Sequence, residues 1–268
     1  MELLTYLLIG AVAGFAAGLF GVGGGLIVVP VLYVVFMRAG YDEAVTMHLA
    51  LGTSLATIII TSISSMLAHN KNHAVLWPVV GRLTPGLILG SFGGAAIADA
   101  LSGQKLQLVI SIFTLFVGIS MFRSSRTKIS VQHRQSINSH WHWFAGAIIG
   151  IASALFGIGG GSLTVPYLNR CGLAMPQAVG SSAACGLPVA ITGALGFMFF
   201  GAHEQTHIAH TIGYIHIYAF VGISVMSFIT ARQGAKVAHW LSPVMLKKSF
   251  ACLLLCMSMY FLSKALPL

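Results

Sequence analysis

A backbone suited to holding an anion is written twice in this chain. Phe20-Gly21-Val22-Gly23-Gly24-Gly25 is followed five residues later by Pro30, and Phe156-Gly157-Ile158-Gly159-Gly160-Gly161 five residues later by Pro166. Glycine costs about 1 kcal/mol relative to alanine in a helix interior, so such a cluster breaks the apolar segment that contains it. A helix restarting after Gly25 or Gly161 opens with N–H groups that have no intrahelical partner, at the positive end of its dipole. Glycine lets a ligand approach those groups closely. Such an end suits an anion without a buried arginine. Tight helix packing is the competing use of small residues, but it rarely needs three consecutive glycines.

Thr53-Ser54 and Ser181-Ser182 lie inside apolar segments, where their hydroxyls can donate to an oxyanion or bond back to their own helix. With Gly21, Gly23, Gly24, Gly25, Gly157, Gly159, Gly160 and Gly161 they form the candidate substrate-binding set. Arg82 sits close to a segment end beside Lys71, a place from which its guanidinium snorkels to the interface. The acids Glu2, Asp42, Glu43, Asp99 and Glu204 all fall near segment ends, which argues against a carboxylate-centred cation pump. A proton-coupled mechanism would have to borrow a histidine such as His48 or His216, either of which can equally be a packed or interfacial side chain.

His203-Glu204-Gln205-Thr206-His207 matches the H-E-x-x-H pattern of zinc proteases, with His210 as a third imidazole. That chemistry needs the motif on a helix, a third ligand and an open coordination position. The stretch instead falls in the polar gap between two apolar segments, and Gly213 stands where the extended pattern wants histidine. An intramembrane zinc protease through His203 and His207 is the rival reading, with loop histidines as the plain one. A membrane scaffold without transport is the other alternative.

The elements that must position these residues are membrane helices. The chain of 268 residues is 57% hydrophobic and only 7% charged, with mean hydropathy +0.89, against roughly 25% charged in soluble domains. Its formal charge of +9 comes from basic residues scattered in loops, as the positive-inside rule places them, and is no sign of nucleic-acid binding. The start, Met1-Glu2-Leu3-Leu4, lacks the positive region of a secretory signal and reads as mature protein. Cys171, Cys185, Cys252 and Cys256 form no CxxC pair and read as packing residues. Apolar segments are expected over 3–20, 26–37, 44–68, 75–98 and 106–122, and again over 141–156, 162–169, 177–200, 211–231 and 245–263.

The order repeats. The glycine motif and its proline recur at +136, Ala50-x-Gly52-Thr53-Ser54 recurs at +128 as Ala178-x-Gly180-Ser181-Ser182, and Leu101-Ser102-x-x-x-Leu106 at +140 as Leu241-Ser242-x-x-x-Leu246. Three anchors in one order indicate duplication. If each broken segment were a single crossing, the halves would be parallel and loop cations would divide six to seven. If each is a hairpin returning to its starting side, the halves are inverted and the linker's side holds ten against Arg38, Lys105 and Lys264. The charge rule favours inversion. Residues 162–169 would also make a helix of only ~12 Å, too short to span.

Gly-x-Gly-Gly-Gly followed by proline, doubled and paired with an internal Gly-Thr/Ser-Ser, resembles the TauE/SafE-type permeases of the sulfite-exporter (TSUP) superfamily over nearly the whole chain. The resemblance implies transport of sulfur-containing anions such as sulfite, sulfonates or sulfoacetate across the bacterial inner membrane. By position it carries over to Gly21–Gly25 with Gly157–Gly161, and to Thr53-Ser54 and Ser181-Ser182. The expectation is an all-α polytopic membrane protein of about eight to ten helical segments, in two inverted repeats. Residues 1–122 form the first, 123–140 a basic cytoplasmic linker and 141–268 the second. Each repeat has a glycine-broken re-entrant or hairpin segment plus about three spanning helices. The function expected is that of a secondary carrier, not an enzyme, since no ATP-binding G-x-x-x-x-G-K-[ST] occurs. No cofactor or metal is expected. The partners are a small anion and the lipid bilayer, with self-association into a homo-oligomer left open.

Overall fold

The computed structural model describes residues 2–20, 25–124, 139–203, 210–238 and 243–265. Among them are ten helices: α1 Glu2–Phe20, α2 Gly25–Arg38, α3 Glu43–Lys71, α4 Trp77–Asp99, α5 Gly103–Ser124, α6 Ser139–Leu155, α7 Gly161–Arg170, α8 Met175–Gly201, α9 Ile217–Ala238 and α10 Pro243–Ala265. The protein is an all-α polytopic membrane protein. By length and composition α3, α5 and α8 are each able to cross a bilayer, and shorter apolar helices surround them. Local chemistry sets the helix ends. The Asp42 carboxylate accepts from the Ala44 N–H at 2.9 Å to cap α3, and Pro78 and Pro176 stand in the first turns of α4 and α8, where no N–H is required.

One expected span is shorter than its apolar run. The segment 211–231 becomes helical only at Ile217, because Thr211–Ile212 (β1) and Ile215–His216 (β2) pair as a small antiparallel hairpin. Gly213 turns it at φ 55°, a left-handed conformation that glycine adopts without strain.

Helix pairing runs across the two halves of the chain. α1 packs parallel to α9, with Gly10 against Ile223 and Gly14 against Ser227. α6 packs parallel to α4, with Gly146 against Leu83 and Gly150 against Leu87. Both seams are built from glycines four apart, which let backbones approach where lipid offers no hydrophobic drive. α3 and α8 form a central antiparallel pair, with Leu55 against Gly193 and Ser62 against Gly186. α5 and α10 are also antiparallel: the Ser258 hydroxyl donates to the Ser111 carbonyl at 2.8 Å and the Gln107 amide to the Phe261 carbonyl at 3.3 Å.

Of the glycines in α4, Gly90 and Gly94 lie in the seam with α6, whereas Gly93 has nothing within 4 Å of where a Cβ would stand. A Cβ on Gly90 would collide with the Ala147 carbonyl oxygen. Gly90→Ala should therefore lower thermal stability in detergent, whereas Gly93→Ala should leave it unchanged or raise it by up to about 1 kcal/mol through helix propensity. Equal melting temperatures for the two variants would show that this seam does not hold α4 to α6.

Each glycine-broken segment folds back on itself. Tyr6 near the start of α1 meets Phe36 near the end of α2, ring centroids 6.4 Å apart. His142 Nδ1 near the start of α6 lies 2.7 Å from the Tyr167 hydroxyl near the end of α7. The first hairpin opens at the end of the bundle that holds the α2–α3 and α4–α5 turns. The second opens at the end where α5 stops and α6 starts, which we call the linker end.

Candidate functional site

The second break is resolved in full. α6 closes with the Ile158 N–H bonded to the Ser153 carbonyl at 2.8 Å and the Gly157 N–H to the Ala154 carbonyl at 3.2 Å. This paired closure needs a left-handed residue after the helix, supplied by Gly157 at φ 62°. Gly160 caps the start of α7 at φ 71°. Gly159 lies against Ile58, whose Cγ2 would be 2.5 Å from an added Cβ. The three positions thus require glycine for two separate reasons, positive φ and close approach.

The break is buried and enclosed by the other half of the protein. A Cβ on Gly25, the first residue of α2, would collide with the Gly157 carbonyl oxygen and come within 3.0 Å of Ile158 Cα. The start of α2 and the second break therefore touch. Gly21, Gly23 and Gly24 lie outside the described residues. Val29 of α2, Leu51 of α3 and Gly186 of α8 complete the wall, Gly186 standing against the Gly159 carbonyl.

The four hydroxyls singled out from sequence are all buried and all bonded, in two different ways. The Ser54 hydroxyl donates to the Gly157 carbonyl at 3.0 Å, and the Ser182 hydroxyl to the Gly161 carbonyl at 3.3 Å. These two brace the break. Thr53 Oγ1 accepts the His216 N–H at 2.9 Å and Ser181 Oγ accepts the Leu76 N–H at 2.9 Å, so each pins the segment leading into a helix of the opposite half and keeps its own O–H to donate. Gly52 and Gly180 repeat that pattern, packing against the carbonyls of Tyr214 and Ala74.

Three hydroxyls that the sequence reading passed over line the same break. Ser153 in the last turn of α6 and Thr164 in the first turns of α7 are fully buried, and neither hydroxyl has a hydrogen-bond partner; Ser162 between them is half-buried and also unpartnered. Hydroxyls cut off from water and protein alike are costly, typically about 1–3 kcal/mol each. Thr164 Oγ1 lies beside Gly160 at the start of α7, where the Leu163 and Thr164 N–H groups bond back to the Gly160 carbonyl at 3.2 and 2.8 Å and those of Gly161 and Ser162 have no preceding turn to bond. The positions of the three hydroxyls just before and just after the glycines were the available signal. The corresponding residues at −136, Ala17, Leu26 and Val28, carry no hydroxyl.

The zinc-protease pattern gains no helix. α8 stops at Gly201, and His203 is exposed beyond it with its ring near Phe199. Glu204 and His207 lie outside the described residues, and His210 rests on Tyr218 at 4.4 Å. Among the described residues no three His, Cys, Asp or Glu side chains come together to hold a metal. Arg82 is exposed near the start of α4 at the linker end. Cys171, just beyond α7, is half-buried; burial pushes its thiol up, which suits a packing residue better than a nucleophile.

A family model described as "Sulfite exporter TauE/SafE" matches residues 6–261. A Haemophilus influenzae protein named "Probable membrane transporter protein" is 35% identical over 254 residues, covering 94% of this chain and 95% of its own. A similarly named protein of Methanocaldococcus jannaschii is 27% identical over 259 residues, covering 96% and 94%. One from Bacillus subtilis, YunE, is 29% identical over 218 residues, covering 75% and 80%. No solved structure matches. With its doubled glycine break, its membrane helices and a family match running from Tyr6 to Phe261, the chain belongs to the sulfite exporter TauE/SafE family.

Proposed function

We propose that this protein is a secondary transporter of small, sulfur-containing anions of the sulfite, sulfonate, sulfoacetate or thiosulfate type. It works by alternating access in a bacterial inner membrane, and not as an enzyme. The observation that carries this reading is the start of α7. A glycine-capped helix N-terminus is buried against the opposite half, with the unpartnered Thr164 hydroxyl beside it and that of Ser153 in the last turn of α6 before the break. Unpaired N–H groups and the dipole favour an anion, and idle hydroxyls supply further donors. In this reading the second repeat contributes the polar contacts and the first contributes Gly25 and an apolar wall.

The reading includes two inverted repeats, residues 1–122 and 141–268, joined by the basic segment 123–140. Counterparts by offset, α3 with α8 and α5 with α10, run antiparallel, which favours a pseudo-twofold axis across them rather than along them. The parallel pairs α1–α9 and α6–α4 exchange under the same operation, as do the Thr53–His216 and Ser181–Leu76 hydrogen bonds. Such an architecture allows one hairpin to rock against the other around a fixed site. Lys71, Arg82, Arg123, Arg170, Lys247 and Lys248 belong to the linker end, against Arg38, Lys105 and Lys264 at the other, where Glu2, Asp42, Glu43 and Asp99 also fall. That asymmetry favours a cytoplasmic linker.

The test is a flux screen in proteoliposomes over sulfite, thiosulfate, sulfoacetate and a simple alkanesulfonate. At least one is expected to enter at well above the rate of protein-free vesicles. No uptake of any of them would favour the scaffold reading. Zinc measured at one per chain, and lost on His203→Ala, would restore the protease.

A further inference from the structure

We propose that His48 is the proton-binding residue that couples this carrier to the proton gradient; the proposal rests on the transport reading and names its coupling ion. Two buried histidines stand at the end of the bundle away from the linker, and the structure separates them. His216 has both ring nitrogens engaged: Nδ1 accepts the Ala219 N–H at 3.2 Å and Nε2 lies 3.1 Å from the Tyr41 hydroxyl. His48 has one. Its Nε2 faces two carbonyl oxygens, Ala98 at 2.9 Å and Leu101 at 3.1 Å. Carbonyls only accept, so Nε2 carries the hydrogen and Nδ1 holds the free lone pair. Nδ1 is buried with no partner, on a side chain only 4% exposed.

The surroundings are arranged to receive a charge there. The Tyr214 ring stacks on the imidazole at 5.0 Å and 27°, presenting its negative face. The Tyr214 hydroxyl donates to Asp99 Oδ1 at 3.1 Å, placing a partly exposed carboxylate behind the stack. The other titratable or charged groups toward this end of the neighbouring elements are Asp42 and Glu43 at the start of α3, Tyr33 and Arg38 in α2, Tyr41 between α2 and α3, Lys105 in α5, His216 in β2 and Tyr218 in α9. The described part of α8 presents no charged side chain. By the repeat offsets, His48 and Tyr214 correspond to Pro176 and Ala74, so the pair exists at one end only.

Proton binding at Nδ1 has a structural consequence. A proton taken from water converts the lone pair into an N–H with no acceptor in the present packing, so the charged form favours a different one. The element in contact with the ring is the β1–β2 hairpin that carries Tyr214. It is pinned to α3 one turn further on, through Tyr214 packed on Gly52 and the His216 N–H on Thr53 Oγ1. Ser54, next in the chain, braces the glycine break. The proton site and the anion site thus share one short stretch of α3.

The experiment uses vesicles with an internal pH dye and a gradient of thiosulfate, which stays ionised and carries no proton itself. Wild type is expected to move protons with thiosulfate. His48→Gln, which keeps an amide donor but does not titrate, is expected to lose at least about tenfold in protons moved per thiosulfate and to show a flat flux profile over pH 5–8, where imidazoles change charge. His216→Gln should keep the wild-type proton ratio. Asp99→Asn removes the charge behind Tyr214 and should lower the number of protons moved per thiosulfate. A wild-type ratio in His48→Gln overturns the proposal. If His48→Gln does not fold, a wild-type proton ratio in Asp99→Asn overturns it. If wild type carries no anion at all, the transport reading fails by itself. NMR spectra of histidine-labelled wild type, compared with His48→Gln or Asp99→Asn, then decide the proton site: a His48 signal that titrates supports it, and one fixed in the neutral form rejects it.

Discussion

Proteoliposomes carrying Gly160→Leu are expected to take up no anion, while the variant inserts and elutes as wild type does. Gly160 holds φ 71° as the cap of α7. A residue with a Cβ pays about 1–2 kcal/mol in that conformation. Space is a second matter. A Cβ would find Thr164 Oγ1 at 3.6 Å and Gly186 Cα and Val189 Cγ2 each at 3.7 Å, ordinary contacts that leave room for a methyl group and little more. Leucine's remaining carbons have to displace one of these neighbours, among them the unpartnered Thr164 hydroxyl. Gly160→Ala should therefore retain part of the flux at a small cost in stability, and Gly160→Leu none. Uptake at the wild-type rate by the leucine variant would remove the start of α7 from the transport path.

Gly25→Ala is expected to be worse than Gly160→Ala, although Gly25 is the first residue of an ordinary helix. Its added methyl would collide with the Gly157 carbonyl oxygen and press on Ile58 Cδ1 at 2.9 Å and Ile158 Cα at 3.0 Å. Two of these three neighbours are backbone atoms of the second break and yield only if the two hairpins separate. Overpacking of this kind costs typically about 1–3 kcal/mol. Separating the hairpins also disturbs the Ser54 hydrogen bond to Gly157. Thermal unfolding in detergent should show Gly25→Ala below both wild type and Gly160→Ala, with flux reduced in step. The reverse order of the two alanine variants would mean that the breaks do not bear on each other.

These two variants separate what glycine does at the site. At Gly160 it supplies a backbone conformation; at Gly25 it supplies an absence of volume. Runs of glycine look alike on paper, so only the neighbours decide which requirement holds at each position. The hydroxyls divide in the same manner. Thr53 and Ser181 were legible as a symmetric pair and are used as one, but as acceptors for segments of the opposite half. Ser153, Ser162 and Thr164 have no hydroxyl counterpart at −136, where Ala17, Leu26 and Val28 stand.

The sequence by itself determined that this chain lives in a bilayer, because 57% apolar residues with 7% charged admit no soluble core. It determined the two helix breaks, since clustered glycine disrupts a helix in any surroundings. It also pointed to the returning hairpins, because loop cations balance in one folding of the broken segments and not in the other. Only the tertiary structure decided which helices meet. In a membrane helix the lipid-facing and buried faces are both apolar, so hydrophobic periodicity does not mark the seam. The spacing of Gly10 with Gly14 and of Gly146 with Gly150 held that information, and its meaning came only with the partners, α9 and α4. The same limit applied to the histidines. His48 and His216 are equivalent as letters, and they differ because one has two carbonyls and an empty nitrogen while the other has both nitrogens filled.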